Sequence, residues 1–306
     1  MTVPRFLDAD ALASALSLTE AVNALAAALE GGLDPAADPP RSSLAAPAGE
    51  LLLMPSAAAG PVGVKLASVA PANPARGLAR IQGVYALFDA ETLSPVALID
   101  GIALTAVRTA AVSALAARLL APADASRLLV FGTGPQARAH VEALAAVRPI
   151  ERIEAIGRDP GRLDAFLEYC HDAGFSASAG DADAPVAADI VCCCTTAREP
   201  LFDGGTVGDD AAVIAIGSHE PEAREVDERL AARAFVVVED RATALREAGD
   251  VVLAARAGAL DPDQLVTLAQ LVRGESTPPL GRPRLFKSTG MAWEDAVVAA
   301  AAVRRG

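Results

Sequence analysis

The sequence predicts an α/β protein of two domains, one with a doubly wound parallel sheet and one of mixed α+β type. The chain has 306 residues, about twice the ~150 residues of an average domain. From Arg127 onwards, strand and helix patterns alternate, which is typical of βαβ units on a parallel sheet. Before that point, short strands joined by polar turns indicate a mostly antiparallel sheet.

Net charge, apolar pattern and cysteine spacing limit the kinds of partner and ligand that we expect for this protein. The formal net charge of −13 would repel a phosphate backbone, so we expect no nucleic-acid partner. Charged residues interrupt the most apolar stretch, residues 98–121, so no membrane span is predicted. The four cysteines are Cys170 and the run Cys192–Cys194, which has neither disulfide-framework nor zinc spacing. We therefore expect a reduced, cytoplasmic protein without a metal site, in which these cysteines act as small apolar residues.

The first hundred residues read as one helix followed by strands. A helix is predicted over residues 8–30, with Asp8 or Asp10 as its cap and Gly31–Gly32 as its end. Residues 34–50 read as a loop because they are rich in Pro, Ala and Ser. Strands are predicted over residues 51–55 and 62–69, and a hairpin over residues 82–89 and 95–99. A long helix over residues 105–120 ends at Pro122.

The second half alternates between strand and helix. Strands are predicted over residues 128–131, 152–156, 190–194, 212–216 and 235–238. Helices are predicted over residues 135–146 and 162–173, and an apolar helix over residues 291–303 closes the chain. This order predicts a parallel sheet covered by helices on both faces.

A glycine-rich loop marks the first βα unit of this half. Residues 132–137 read Gly132, Thr133, Gly134, Pro135, Gln136 and Ala137, which match the dinucleotide fingerprint GxGxxG/A. The loop directly follows a strand and precedes a helix, which is the context that the fingerprint requires. The first glycine allows a tight turn, the second lets a pyrophosphate approach, and the alanine keeps helix and sheet close. The pattern predicts a Rossmann-type domain that binds a nicotinamide cofactor.

The end of the second strand bears on the choice of cofactor. An acidic residue there binds the ribose hydroxyls of NAD, but this strand is followed by Arg158 and then Asp159. A guanidinium pairs well with a 2′-phosphate. The sequence therefore favours NADP and leaves NAD open.

Several motifs occur in the order seen in a known family. They are Val62–Lys65, Asn73, Gly77–Leu78, Gln82–Gly83, Leu87–Thr92, Leu104–Ala111, the glycine loop, Arg224–Asp227 and Lys287–Ala292. With these motifs the chain resembles the ornithine cyclodeaminase/mu-crystallin family over most of its length. The block from Lys65 to Ala111 is specific, whereas the glycine loop alone is not.

The resemblance implies a homodimer of two-domain subunits. Residues 1–121 and 287–306 would form the substrate-binding and dimerisation domain, and residues 122–286 the NAD(P)-binding domain. Members of the family reduce imines or 2-oxo acids of small amino acids with NAD(P)H, oxidatively deaminate alanine, or cyclise ornithine to proline.

The resemblance also assigns roles to individual residues. Arg41, Lys65 and Arg108 match positions that bind a substrate carboxylate, and Asp227 matches an acid/base position beside the substrate nitrogen. The residues support part of this assignment, because Lys65 lies in an apolar strand and Arg108 in a helix of low charge. Buried cations of this kind need a polar partner. Lys65 is also a candidate for proton transfer, since burial readily lowers the pKa of a lysine.

Other candidates lie at strand ends. Thr195 follows the cysteine run at the carboxyl end of a strand, where such sheets bind ligands, and is a candidate cofactor contact. Ser288 and Gly290 belong to the last loop, which in the family lies over the nicotinamide. His219 also follows a strand, and the interpretation as a residue near the nicotinamide competes with an ordinary surface position.

The leading hypothesis is an NAD(P)H-dependent oxidoreductase of a small cyclic imino acid, or of a 2-oxo acid and its amino acid. A true ornithine cyclodeaminase is the alternative, which needs a partner for the distal amine, and Glu50 is the candidate. A non-catalytic NADP- or small-ligand-binding protein is the third hypothesis.

Overall fold

The chain divides into two units, each with its own sheet. The computed structural model describes residues 3–58, 60–181 and 183–304. Unit 1 runs to Thr109 and resumes at Met291, and unit 2 comprises Ala110–Gly290. The first division falls within a helix and not at its end, where we expected the boundary between residues 121 and 122. The two sheets confirm the predicted α/β class with a doubly wound parallel sheet.

Unit 1 is built on a six-stranded sheet of order β1-β6-β5-β4-β3-β2. Its strands are β1 (Arg5–Leu7), β2 (Ser42–Ala46), β3 (Gly49–Ser56), β4 (Val62–Val69), β5 (Ile81–Phe88) and β6 (Pro95–Asp100). Neighbouring strands are antiparallel, except that β1 runs parallel to β6 at the edge. The helices of the first half are α1 (Ala9–Ala15), α2 (Leu18–Glu30) and α3 (Gly101–Leu120).

Two predictions for this unit were wrong. The predicted helix over residues 8–30 is two helices, because Leu16 is extended and Ser17 starts a new helix. The Ser17 hydroxyl accepts from the N–H of Glu20, whose carboxylate accepts from the N–H of Ser17. Such a capping box satisfies two donors at a helix start. The predicted loop over residues 34–50 contains strand β2, whose side chains are exposed at the sheet edge.

Helix α3 is long and apolar enough to cross a membrane by length and composition. However, 61% of its most apolar 18-residue window is buried within the protein. Its composition is therefore also that of a core helix, since a helix that is apolar on all sides can be buried in a membrane or in the core of a protein.

Unit 2 contains an eight-stranded sheet of order β13-β12-β14-β11-β10-β7-β8-β9 with parallel pairing throughout. Its strands are β7 (Arg127–Phe131), β8 (Arg152–Ile156), β9 (Ser176–Ala179), β10 (Ile190–Cys193), β11 (Ala212–Ala215), β12 (Phe235–Val238), β13 (Val266–Thr267) and β14 (Arg284–Lys287). The remaining helices are α4 (Pro135–Ala145), α5 (Pro160–Asp172), α6 (Ala184–Ala187), α7 (Glu228–Arg233), α8 (Arg241–Glu247), α9 (Gly249–Arg256), α10 (Leu268–Val272) and α11 (Ala292–Val303), of which α11 belongs to unit 1.

The strand order positions the functional loops. From β7 the chain moves outward through β8 and β9, then returns to place β10 on the other side of β7. The crevice at such a reversal, outside the carboxyl ends of the strands, is where sheets of this kind bind ligands. The loops that follow β7 and β10 lie at this point, and they carry the glycine fingerprint and Thr195.

Candidate functional site

The glycine loop has the geometry of a nucleotide-binding turn. Gly132 has φ +104°, a conformation that other residues rarely adopt, and an added Cβ would lie 2.5 Å from the carbonyl oxygen of Cys194. Nothing lies within 4 Å of a Cβ added to Gly134, which is the cap residue of α4 and has no side-chain cap bond. Ala137 is buried. The local structure is the strand, loop and helix that the fingerprint predicts.

The start of α4 carries a further polar group. The side-chain oxygen of Gln136 is buried and accepts no hydrogen bond from the part of the chain that the structure describes. A buried acceptor without a donor costs free energy, so such an atom points to a missing partner. Together with the open space at Gly134, it shows that the loop fits a bound dinucleotide.

The residues after β8 lie against the same loop. A Cβ added to Gly157 would lie 2.8 Å from the Thr133 side chain, and the N–H of Gly132 donates to the carbonyl of Ile156 at 2.9 Å. Arg158 is exposed beside this contact. The Asp159 carboxylate accepts from the N–H of Arg162 at 2.9 Å and caps α5.

A buried carboxylate joins the ends of two strands. The Glu225 carboxylate accepts from the N–H and the hydroxyl of Thr195 at 2.8 and 2.7 Å, and from the N–H of Gly217 at 2.7 Å. Thr195 follows β10 and Gly217 follows β11, so one side chain fixes both loops. Burial raises the pKa of Glu225. The Thr195 hydroxyl is thus directed towards Glu225.

A second layer of buried charge supports this contact. The Asp250 carboxylate accepts from the N–H groups of Glu225 and Val226 at 2.7 and 2.9 Å. Its other oxygen lies 2.8 Å from the ammonium of Lys287, and both side chains are fully buried. Lys287 is the last residue of β14, so the network joins the ends of β10, β11 and β14.

The last loop is held by another buried acid. Glu239, which follows β12, accepts from the Ser288 hydroxyl at 2.7 Å and from the Thr289 N–H at 2.8 Å. It also accepts from the N–H of Gly290 at 3.2 Å, where φ is +74°. Both predicted contact residues of this loop therefore direct their donors to Glu239, whose role the sequence did not reveal.

Unit 1 holds a cluster of four buried charges. Lys65 on β4 lies 2.8 Å from the Asp295 carboxylate and donates to Thr105 at 3.4 Å. Arg108 on α3 lies 2.8 Å from Glu294 and 3.3 Å from Asp295. Burial, followed by the charge of Arg108, lowers the pKa of Lys65 to about 8.

The two acids of this cluster come from α11, almost 200 residues after Arg108 in the chain. The structure thus places Lys65 and Arg108 in one cluster. The carboxylates with which they pair were not predicted from the sequence. Arg41 lies one residue before β2, and β3 separates β2 from β4 in the sheet. It is half-buried.

The geometry of Asp227 is that of a helix cap. One carboxylate oxygen accepts from the N–H of Leu230 at 3.0 Å, and the other from the N–H of Gly204 at 3.1 Å. Its role as acid or base stays a prediction. His219 is exposed beyond the end of β11.

Fold and site define a Rossmann-type protein whose first unit buries a cluster of paired cations. The family model of the ornithine cyclodeaminase/mu-crystallin family matches residues 3–305, and the chain belongs to that family. A Δ1-pyrroline-2-carboxylate reductase of Colwellia psychrerythraea is 37% identical over 229 residues, 72% of either chain.

Two solved structures share the whole fold. The Δ1-pyrroline-2-carboxylate reductase of Thermococcus litoralis, in complex with NADH and L-proline, has a TM-score of 0.91 at 29% identity and covers 98% of this chain and 97% of its own. An archaeal alanine dehydrogenase dimer with bound NAD has a TM-score of 0.91 at 28% identity and covers 99% and 95%. Both structures contain a bound nicotinamide cofactor, and both share the fold described here.

We expect Glu225→Gln to destabilise the protein by about 1–3 kcal/mol, because an amide offers one acceptor oxygen to donors that now reach two. Glu228→Gln is the matched control, since this side chain is 46% exposed and forms a surface ion pair with Arg224. Its cost should stay within about 0.5 kcal/mol. Urea unfolding measures both, and equal costs would contradict the positioning role of Glu225.

Proposed function

We propose that the protein is an NAD(P)H-dependent reductase of a small cyclic imino acid of the pyrroline-2-carboxylate type. The observation that carries the proposal is the pair of buried cations, Lys65 and Arg108, held in unit 1 of a chain whose unit 2 has a dinucleotide loop. The relatives support it, because one named reductase holds NADH together with L-proline, the product of such a reduction.

The substrate carboxylate is bound by Lys65 and Arg108, with Arg41 as a third cation. A guanidinium has five N–H donors in a planar fork, so Arg108 can serve a substrate carboxylate in addition to Glu294 and Asp295. Asp295 contacts both cations and keeps them charged and oriented before substrate arrives. The binding site is therefore organised in advance, which lowers the cost of binding.

The glycine loop and the loops after β8, β10 and β14 hold the cofactor. When bound, the cofactor supplies the hydride that reduces the imine carbon. Gly132, Thr133, Gly134, Pro135, Gln136 and Ala137 would receive the pyrophosphate at the start of α4. Thr195, Ser288 and Gly290 would contribute to the pocket, mainly through loops fixed by Glu225 and Glu239.

NADP is the cofactor we favour. Arg158 is exposed next to the glycine loop and is the side chain that we assign to a 2′-phosphate, whereas the Asp159 carboxylate caps α5. An arginine pairs with a phosphate through two parallel hydrogen bonds.

Asp227 is proposed to hold the substrate nitrogen in its protonated form, which makes the imine carbon a better hydride acceptor. This role adds to its helix cap.

The direct experiment follows the absorbance of reduced nicotinamide after mixing the protein with Δ1-pyrroline-2-carboxylate and NADPH or NADH. We expect net oxidation, faster with NADPH. Arg108→Met should lower kcat/KM by at least about 30-fold, because it removes one partner of a buried charge pair. Arg118→Met on the same helix is the control and should change little. Cofactor binding without oxidation, or ammonia release from ornithine, would contradict a reductase.

The lowered pKa of Lys65 predicts the alkaline limb of the pH profile. Above about pH 8 this lysine loses its proton and its attraction for a carboxylate, so kcat/KM should fall. Lys65→Arg should retain activity at reduced level and move the limb upwards, because a guanidinium stays charged. If the limb came from titration of the substrate, it would lie at the same pH in the wild-type protein and in Lys65→Arg. An unchanged limb in Lys65→Arg would assign the titration to another group.

Asp227→Asn separates capping from catalysis. Asparagine caps a helix about as well as aspartate, but its amide offers one acceptor oxygen to the N–H groups of Leu230 and Gly204, so we expect a modest loss of melting temperature. We expect kcat to fall far more than the affinity for cofactor. His219→Gln is the comparison, and a larger loss there than in Asp227→Asn would move the role to His219.

A homodimer is proposed through the outer face of the unit 1 sheet. Phe6 and Leu98 are neighbours in register on this face and are 61% and 38% exposed. Leu44, two strands beyond β4 on the same face, is 61% exposed. Exposed apolar patches of this kind mark interaction surfaces. The archaeal relative named a dimer supports a second copy as the partner.

Light scattering after size exclusion tests the dimer. The protein should elute as two copies, and Phe6→Glu with Leu98→Glu as one. Leu280→Glu, at an apolar residue 87% exposed in unit 2, should remain a dimer. A dimer that survives the double substitution would place the interface elsewhere.

A further inference from the structure

Three potential metal ligands meet in unit 2, between helix α4 and strand β10. They are His140 on α4, Cys192 on β10 and Cys194 directly after β10. A ligand atom of each lies within 4.8 Å of the others. The two sulfur atoms are 3.5 Å apart. The sequence did not reveal this cluster because the histidine lies more than 50 residues before the cysteines.

Side chains alternate between the two faces of strand β10, and this alternation separates the three adjacent cysteines. Side chains two residues apart on a strand share a face, so Cys192 and Cys194 lie together. Cys193 points to the other face and is part of the apolar core, as the sequence predicted for the whole run. Only two of the three thiols are therefore available to a common ion.

Hydrogen bonds determine which nitrogen of His140 can bind. Nδ1 lies 2.7 Å from the carbonyl oxygen of Gln136, which can only accept, so Nδ1 carries the proton. Nε2 therefore has its lone pair free to accept, and the Ser113 hydroxyl donates to it at 2.9 Å. Metal-binding histidines are usually oriented in this way, with the other ring N–H donated to a carbonyl.

We propose that His140 Nε2, Cys192 Sγ and Cys194 Sγ bind a thiophilic divalent cation of the Zn²⁺ class, with the Ser113 hydroxyl or a water as fourth ligand. Two sulfurs on a tetrahedral ion with bonds of about 2.3 Å stand roughly 3.8 Å apart, close to the separation found here. On binding, each thiol releases one proton to solvent, and no electron is transferred.

Charge and position both suit such an ion. Two thiolates and a divalent cation sum to zero, so the bound cluster places no net charge in a buried site. His140 and Cys192 are fully buried, and Cys194 is half-buried. A Cβ added to Gly132 would lie 2.5 Å from the carbonyl oxygen of Cys194, so an ion that joins α4 and β10 would lie next to the glycine loop.

The test titrates the full-length, phosphine-reduced protein with Co²⁺ and then Zn²⁺. We expect about one Co²⁺ per chain with a thiolate-to-cobalt charge-transfer band, its displacement by Zn²⁺, and release of about two protons per ion. The wild-type titration is decisive by itself, because absence of the band overturns the proposal whatever the variants do.

Cysteine variants identify the ligands. Cys192→Ala and Cys194→Ala should each weaken binding by at least about 10-fold, whereas Cys193→Ala, on the opposite face, should retain the band. Circular dichroism establishes that each variant is folded. A band that survives both ligand substitutions, or disappears equally in Cys193→Ala, would contradict this site. The result is independent of the proposed reductase activity.

Discussion

The cluster of Lys65, Arg108, Glu294 and Asp295 is the constraint on which unit 1 depends. Removing a charged group from water costs several kcal/mol, and the cost is recovered only when an oppositely charged partner is well placed. Here both cations are satisfied by adjacent carboxylates of α11. The end of the chain must therefore return to β4 and α3, which explains why residues from Met291 onwards belong to unit 1.

Buried ion pairs contribute little net stability, since apolar residues of similar size would often serve as well. A role in function accounts better for them. Cations that are already desolvated and oriented bind an anion without paying again for ordering their side chains. Under the proposed function, they would also provide a local site for a negatively charged ligand in an acidic protein of net charge −13.

Unit 2 uses buried acids differently. Glu225, Asp250 and Glu239 accept hydrogen bonds from backbone N–H groups of loops that follow strands. A carboxylate with several donors fixes a loop more firmly than single backbone contacts, because each bond to a charged acceptor is stronger. The carboxyl edge of the sheet is thereby built as a rigid surface around the glycine loop.

Local pattern made much of the fold predictable. The strands over residues 62–69, 152–156 and 235–238 match those of the structure, and the glycine loop has the predicted strand and helix beside it. The break at Ser17 was missed because the apolar spacing continues across it. Strand β14 was missed because Arg284 and Lys287 flank only two apolar residues, although both charges are buried in pairs.

Motif and family resemblance together single out Lys65 and Arg108, which the structure places in one buried cluster, while their role in binding substrate stays a prediction. Their partners were not predictable, because Glu294 and Asp295 read as an acidic pair in the first turn of an apolar helix. The sequence also did not reveal the contacts of Glu239 or the cluster around His140. Each depends on contacts between segments far apart in sequence, which no local pattern records.

The most direct test of the central claim compares two inhibitors of nearly equal shape, pyrrole-2-carboxylate and pyrrole-2-carboxamide, by calorimetry with the cofactor-loaded protein. If Lys65 and Arg108 recognise a carboxylate, the acid should bind at least about 10-fold more tightly than the amide, and Arg108→Met should remove that preference. Equal affinity of the wild-type protein for both compounds would contradict the account.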